Sequence, residues 1–358
     1  MYIGNETYRK DLENALNGIV NYRELFHKSV LVTGATGLIG SFLIDLLLYA
    51  NQKENAGIRV YALARNKDTL CARFASVQQR PELHFLVQDV TEPLQLTERV
   101  DYIIHAAGDG FPSAFREHPV ETMTPAVLGT WQLLQYAKEM GIKRFLYLSS
   151  GEVYGKKTGK AQAFTETDTG NIDSMDVRSC YPMAKRCAET LCVSFMEQYQ
   201  VPVIITRLSH TYGANVSTRD NRATVQFMKN ALAGQDIVLH SSGKQLRSYT
   251  YVADCVSGVL TILLNGRVGE AYNVANAASR VTIAEFAGMV AQKSGRRCII
   301  EQPTAFEKKE LTPIEYAVLA SDKLESLGWT GQYDISGGIS QMLEIAAAYK
   351  DSRAQQSS

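Results

Sequence analysis

The stretch "SVLVTGATGLIGSFL", residues 29–43, limits this chain to few folds. A wholly apolar run meets Gly34, Gly37 and Gly40 at a spacing of three and then turns apolar again. Runs that are apolar throughout, rather than alternating, belong to strands covered on both faces. The same kind of run recurs in "IRVYALAR", "LHFLVQDV", "VDYIIHAAG", "KRFLYLSS" and "VPVIITRL", all within the first 210 residues. Helical patterns at Ser41–Ala50, Pro125–Met140 and Ala184–Gln200 lie among them. This alternation predicts an α/β fold, a Rossmann-type doubly wound parallel sheet.

Residues 1–210 are expected to form a dinucleotide-binding domain, with a helical preface over 1–28 ("TYRKDLENAL"). About 240–265 should complete it, because "RSYTYVADCVSGVLTILL" reads as a segment that packs back on the sheet. Residues 211–239 and 266–350 are expected to make a smaller mixed α/β substrate domain. Its helices are "TVQFMKNALAG" and "TIAEFAGMVAQKSG", and "NVSTRDNR" is a polar loop. The polar tail 351–358 reads as disordered.

Composition excludes some functions. Lys+Arg and Asp+Glu both number 37 and no long basic run occurs, which argues against a nucleic-acid-binding protein. "FLIDLLLYA" is broken by Asp45 and is too short to span a membrane, and the polar N-terminus has no apolar signal core. The six cysteines show no paired CxxC spacing, so reduced thiols in a cytoplasmic protein are expected, and no metal site.

Glycines that close a strand and open a helix are what a dinucleotide site requires. Gly34 allows the tight turn, Gly37 a close approach of backbone to pyrophosphate, and Gly40 close packing of helix on strand. The helix N-terminus adds free N–H groups. The expected cofactor contacts are Gly34, Thr36, Gly37, Leu38, Ile39 and Gly40 in the turn, and Arg65 after the second strand. Asp89 and Val90 follow the third strand, with Asp89 placed for adenine. Ala106, Ala107 and Gly108 follow the fourth and let the cofactor cross the sheet edge. The second strand ends Leu63-Ala64-Arg65-Asn66, without the carboxylate that reads an unmodified ribose. Arg65 instead suits a 2′-phosphate, which favours NADP on local grounds.

"RSCYPMAKRCAE" sets Tyr181 and Lys185 four apart, on one helix face. A neighbouring ammonium and an oxidised nicotinamide would favour the phenolate, making Tyr181 a general base toward a substrate hydroxyl. Both residues therefore face cofactor as well as substrate. Ser150 ends "YLSS" at the sheet's C-terminal edge, where its hydroxyl can hold the same oxygen. His105, on an apolar strand, reads as a satisfied core histidine, and Cys180 as packing.

The glycine turn, "HAAG", "LSSGEVYG" and the Tyr181/Lys185 pair together resemble the extended short-chain dehydrogenase/reductase family, the nucleotide-sugar epimerases, dehydratases and decarboxylases. "QDVTEPL", "VRSCYPMAKRCAETLC", "DNRATVQFMKNAL" and "KQLRSYTYVADCVSGV" most resemble UDP-glucuronate decarboxylases. The resemblance, over about residues 28–330, implies catalytic Ser150, Tyr181 and Lys185 and oxidation of a sugar to a transient 4-ketone. It implies a nucleotide-diphosphate sugar as substrate, a UDP-sugar first. It also implies a homodimer built on the helices at Pro125–Met140 and Ala184–Gln200. The reaction class favours NAD, against the local reading of Arg65.

Dehydratases of the family carry Asp-Glu after the catalytic Ser/Thr, and the decarboxylases Ser-Glu; here the pair is Gly151-Glu152. Glu152 is thus a further catalytic and substrate-binding candidate. Arg178, His210, Arg222 and Arg247 complete the expected substrate set, with His210 standing where the family usually has Asn. Arg207 matches another family arginine. Decarboxylation of a UDP-uronic acid is the first reading. 4-Epimerisation or an atypical dehydration comes second, and an NADPH-dependent reductase or NADP-sensing binding protein stands as another class.

Overall fold

The computed structural model describes residues 4–156, 163–216, 220–301 and 315–356, the last six of these as backbone only. A seven-stranded parallel sheet organises the chain. Its strands are β1 (Ser29–Thr33), β2 (Arg59–Ala64), β3 (Leu83–Val87), β4 (Tyr102–His105), β5 (Arg144–Ser150), β6 (Val203–Leu208) and, from later in the chain, β10 (Ala271–Val274). From one edge the order is β3-β2-β1-β4-β5-β6-β10, and every pairing is parallel. The order reverses direction between β1 and β4, and ligands bind outside the strand ends at such a point. The central strands are buried on both faces, as their unbroken apolar sequence predicts.

The covering helices are α1 (Glu6–Asn17), α2 (Leu38–Glu54), α3 (Lys67–Arg73), α4 (Pro112–Glu117), α5 (Pro119–Thr124), α6 (Thr130–Met140), α7 (Cys180–Tyr199) and α9 (Val252–Asn265). Asn66 caps α3 by accepting from the Thr69 N–H, and Gly141 ends α6 in the left-handed conformation. The helix expected over Pro125–Met140 opens with a π turn at Pro125–Gly129 that continues from α5. Pro125 has no N–H to give the regular ladder, and its carbonyl accepts from His105 Nε2 instead.

The preface is helical as expected. α1 packs on α2, α9 and the C-terminal helix through Tyr8, Leu12, Ala15 and Leu16. α9 returns to β5, β6 and β10, as the sequence implied.

A smaller sheet is made of β7 (His210–Tyr212), β9 (Leu246–Tyr251), β11 (Arg280–Thr282) and β13 (Tyr316–Ala317), and β8 (Ile237–Leu239) pairs with β12 (Cys298–Ile300). α8 (Ala223–Leu232), α10 (Ile283–Ser294), α11 (Asp322–Glu325) and α12 (Ile335–Gln356) accompany them. Thr282 and Glu285 start α10 with a capping box.

Two expectations are corrected. β10 lies within 266–350 yet joins the large sheet, because the turn after α9 returns the chain to β6, where Ala271–Val274 pair with Ile205–Leu208. The tail is helical through Gln356, since α12 continues over Ala, Gln and Arg, all good helix formers. Part of the polar loop at 215–222, and the last two residues, lie outside the described residues. Among the described residues no helix is long and apolar enough to cross a membrane.

Candidate active site

The glycine turn leaves room for a phosphate because side chains there would collide with backbone. Gly34 adopts φ +66°, and a Cβ on it would stand 2.6 Å from the Ala106 carbonyl oxygen. A Cβ on Gly40 would stand 2.3 Å from the Gly34 carbonyl oxygen, so α2 can lie this close to the turn after β1 only with a glycine there. Gly37 is the N-cap of α2 and contributes no capping side chain, so the first-turn N–H groups face outward. These residues fit a dinucleotide's diphosphate.

Thr33 ties β1 to the segment after β4. Its Oγ1 accepts from the Ala106 and Ala107 N–H groups and pairs with His105 Nδ1 at 2.7 Å. With both acceptor positions taken, the hydroxyl proton points at Nδ1, which leaves the Nε2 proton for Pro125. Burial, then Lys185, pushes His105 down to about 3, so it is a neutral, satisfied core residue.

One cavity gathers the adenosine-side expectations: Gly34, Thr36, Gly37, Arg65, Asp89, Val90, Ala106, Ala107 and Gly108. Burial works to raise the Asp89 carboxyl, but Thr91, through its N–H and Oγ1, and Arg65 hold it below the usual carboxylate range. No motif in the sequence marks the opposite wall. Lys229 and Leu232 of α8, with Ala346, Tyr349 and Lys350 of α12, reach it only because α12 folds back over the site.

A second cavity shares Gly34, Gly37, Ala106 and Gly108 with the first and gathers the expected catalytic and substrate residues. Leu38, Ile39, Gly40, Ser150, Glu152, Tyr181, Lys185, His210, Arg222 and Arg247 all line it. Ser150 ends β5, and Tyr181 and Lys185 stand on the first turns of α7. The Lys185 ammonium donates to the Leu148 carbonyl at 2.7 Å and lies 5.8 Å from the Tyr181 ring centre. Burial lowers it to about 8.

Burial, then the Glu152 charge, raises Tyr181 to about 12, while Ser150, Arg222 and Arg178 oppose the rise. The phenolate expected from the sequence relies on an oxidised nicotinamide as well as on the ammonium. The ammonium is turned to Leu148, so desolvation of the phenolate dominates.

Arg222 is held by Asp220 and by the Thr211 carbonyl. Arg247 is 2% exposed, and burial lowers it despite Tyr249 and Glu152. His210 lines the cavity from the start of β7, where its side chain is exposed. Desolvation by the protein around it, then the Arg247 and Arg222 charges, lowers the imidazole to about 3.

Arg178 departs from expectation. It lines neither cavity, and its guanidinium forks onto Glu152 at 2.9 and 3.0 Å. Only Ser179 and Cys180 separate Arg178 from Tyr181, but the short 3-10 segment Val177–Ser179 before α7 aims the two side chains differently. Arg207 is likewise structural, bound to Glu189 and to the Tyr154 hydroxyl. Cys180 packs under Phe115, its thiol against the Phe115 carbonyl. Phe115 itself, which stacks on Tyr181, carried no signal beyond the aromatic "FPSAFREHP".

Residues 30–275 match the model of the NAD dependent epimerase/dehydratase family. UDP-glucuronic acid decarboxylase 6 of Arabidopsis thaliana is 32% identical over 318 residues, 88% of each chain. Among solved structures, an epimerase from Methanothermobacter thermautotrophicus aligns with TM-score 0.79 at 21% identity, covering 96% of this chain and 97% of its own. A Bacillus anthracis dTDP-glucose 4,6-dehydratase, in complex with NAD, aligns with TM-score 0.76 at 22% identity, covering 91% and 98%. These two share the fold. With two cavities meeting at the glycine turn and a sequence match over most of its length, this chain belongs to the NAD dependent epimerase/dehydratase family.

Proposed function

We propose that this chain decarboxylates a UDP-uronic acid through a transient 4-keto sugar, with NAD as resident cofactor. The observation that carries this reading is the environment of Gly151. A Cβ there would stand 3.2 Å from both methyl carbons of Leu319, which fill the place of the acid that dehydratases use to eliminate water. The 32% identity to a UDP-glucuronic acid decarboxylase supports the same choice.

Bound NAD supplies reversible hydride acceptance, so that no net oxidation occurs. Ser150 holds the sugar 4-oxygen and Tyr181 takes its proton. The resulting ketone makes the C5 carboxylate a β-keto acid. Its C–C bond breaks, carbon dioxide leaves, and the electron pair passes into the enolate, which is then protonated at C5. Tyr181 returns the proton to the 4-oxygen at the end. Arg247 offers a guanidinium fork to the carboxylate or the diphosphate, and Arg222 lies beside it. Tyr181 leaves its protonated form more readily once positive charge stands beside its buried ring.

The homodimer is part of the same reading. Val120 of α5, Leu128 of the π turn, Trp131 of α6, and Val193 and Tyr199 of α7 are exposed apolar residues on two packed helical segments. They offer the apolar face that a second copy would cover.

Incubation with UDP-, dTDP-, CDP- and GDP-sugars, read by mass spectrometry and NMR, tests the reading. Loss of carbon dioxide from UDP-glucuronate supports it. Loss of water or an epimer of unchanged mass replaces it with the corresponding relative, and nucleotide binding without turnover overturns the enzyme.

A further inference from the structure

Tyr181, Phe115, Arg178 and Glu152 form a continuous chain of contacts that the reaction as written does not use. The Phe115 and Tyr181 rings are stacked, with centroids 4.6 Å apart and planes 18° from parallel. The Arg178 guanidinium carbon lies 4.8 Å from the Phe115 ring centre, and the same guanidinium forks onto Glu152. Phe115 is 1% exposed on α4, and its backbone carbonyl meets the Cys180 thiol, so its place is fixed from both sides.

We propose that Phe115 and Arg178 are positioning residues, Phe115 fixing the plane of the Tyr181 ring and Arg178 fixing the direction of the Glu152 carboxylate beside it. The inference rests on the reading above for its reaction. A phenol that must meet a sugar hydroxyl and return its proton needs one orientation, and a stacked ring allows few. Several other groups face Tyr181. Glu152 opposes the phenolate, Arg222 and Arg178 favour it, Lys185 stands on the same helix, and Tyr147 lies on β5. Without the fork, the Glu152 charge would act on the phenol with less compensation, and its carboxylate would be free to turn from the substrate.

NAD-loaded Phe115→Leu, Phe115→Tyr, Arg178→Gln and Arg178→Lys are compared with the parent by steady-state release of carbon dioxide from UDP-glucuronate across pH. Arg178→Gln should move the alkaline midpoint of the rate up by about 1 pH unit, the usual effect of losing a nearby opposite charge on a carboxylate's neighbour. Arg178→Lys should restore part of the shift. Phe115→Leu should lower kcat about tenfold at nearly constant KM, with Phe115→Tyr rescuing it. An active parent whose midpoint and kcat are unmoved in these variants overturns the proposal. A parent that releases no carbon dioxide from this sugar strikes the functional reading instead. The positioning role is then read on NAD-bound protein carrying carbon-13 at tyrosine Cζ, with the Tyr181 line assigned by its loss in Tyr181→Phe. A line that is single in the parent and splits or broadens in Phe115→Leu supports the proposal, and an unaltered line overturns it.

Discussion

Leu319 closes over Gly151: its two methyl carbons lie 3.2 Å from where a Cβ on the glycine would stand, and the Leu208 carbonyl lies 3.4 Å from the same point. Gly151→Asp would therefore place a carboxylate against leucine methyls and a backbone oxygen. Thermal unfolding should show a loss of about 1–3 kcal/mol, the range for overpacking a core position. Mass spectrometry should show no gain of water elimination. A stable variant that dehydrates its sugar would show that Leu319 yields easily, and the specificity argument would fail.

Tyr181→Phe removes one oxygen from a ring that stays stacked on Phe115. Turnover should fall at least about 100-fold, the scale of a lost general acid–base group. NAD affinity, measured by calorimetry, should stay within about threefold, as expected where the glycine turn and not the phenol takes the diphosphate. Full activity in this variant would remove Tyr181 from the proton path.

The two glycines of the turn fail in different ways. Gly40→Ala drives a methyl to 2.3 Å from the Gly34 carbonyl, so α2 must leave β1. Both melting temperature and NAD affinity should drop. In Gly37→Ala the methyl meets only the Gly34 carbonyl, at 3.3 Å. Affinity should weaken about tenfold or more by crowding the diphosphate, with little change in melting temperature. Equal thermal losses in the two would contradict the separate roles.

The six sheet strands of the first 210 residues were legible because most are apolar runs, and the turn because glycine spacing is a backbone requirement. Ser150, Tyr181 and Lys185 were legible through local spacing, and they do share one cavity. What escaped depends on distant chain. β10 is four residues long and earns its sheet place only by pairing with β6. Tyr349 and Lys350 meet the adenosine-side cavity only through the path of α12. Arg178 carries the same charge whether it faces a phosphate or Glu152, and only the 3-10 turn before α7 decides which.

Leu128, 49% exposed on the π turn, lies at the face expected to pair with a second copy. Leu128→Glu would bury a charge in a dimer but cost little in a monomer. Light scattering should report a dimer for the parent and a shift toward half that mass for the variant, with the same circular dichroism. A monomeric parent would refute the dimer.

Asp11 makes α1 a source of pH dependence. Its carboxylate accepts from the Tyr251 and Tyr333 hydroxyls. Burial raises it from 3.8 to about 6, the two tyrosine hydrogen bonds oppose the rise, and Asp254 and Glu344 add to it. The folded value lies above the unfolded one, so the folded state binds the proton more tightly. The stabilisation is complete below about pH 4 and is lost as pH rises through about 6, on the order of 3 kcal/mol at most. Asp11→Asn keeps an acceptor oxygen for a tyrosine and removes the titration. Its melting temperature relative to the parent should therefore climb between pH 4 and 7, ending above it at neutral pH. Asp254, also raised by burial, is unaltered in the variant, so to first order its contribution drops out of the difference. Two parallel curves would mean that Asp11 titrates as it does in the unfolded chain. Because the family match begins at residue 30, such a difference would belong to the helix this chain carries ahead of it.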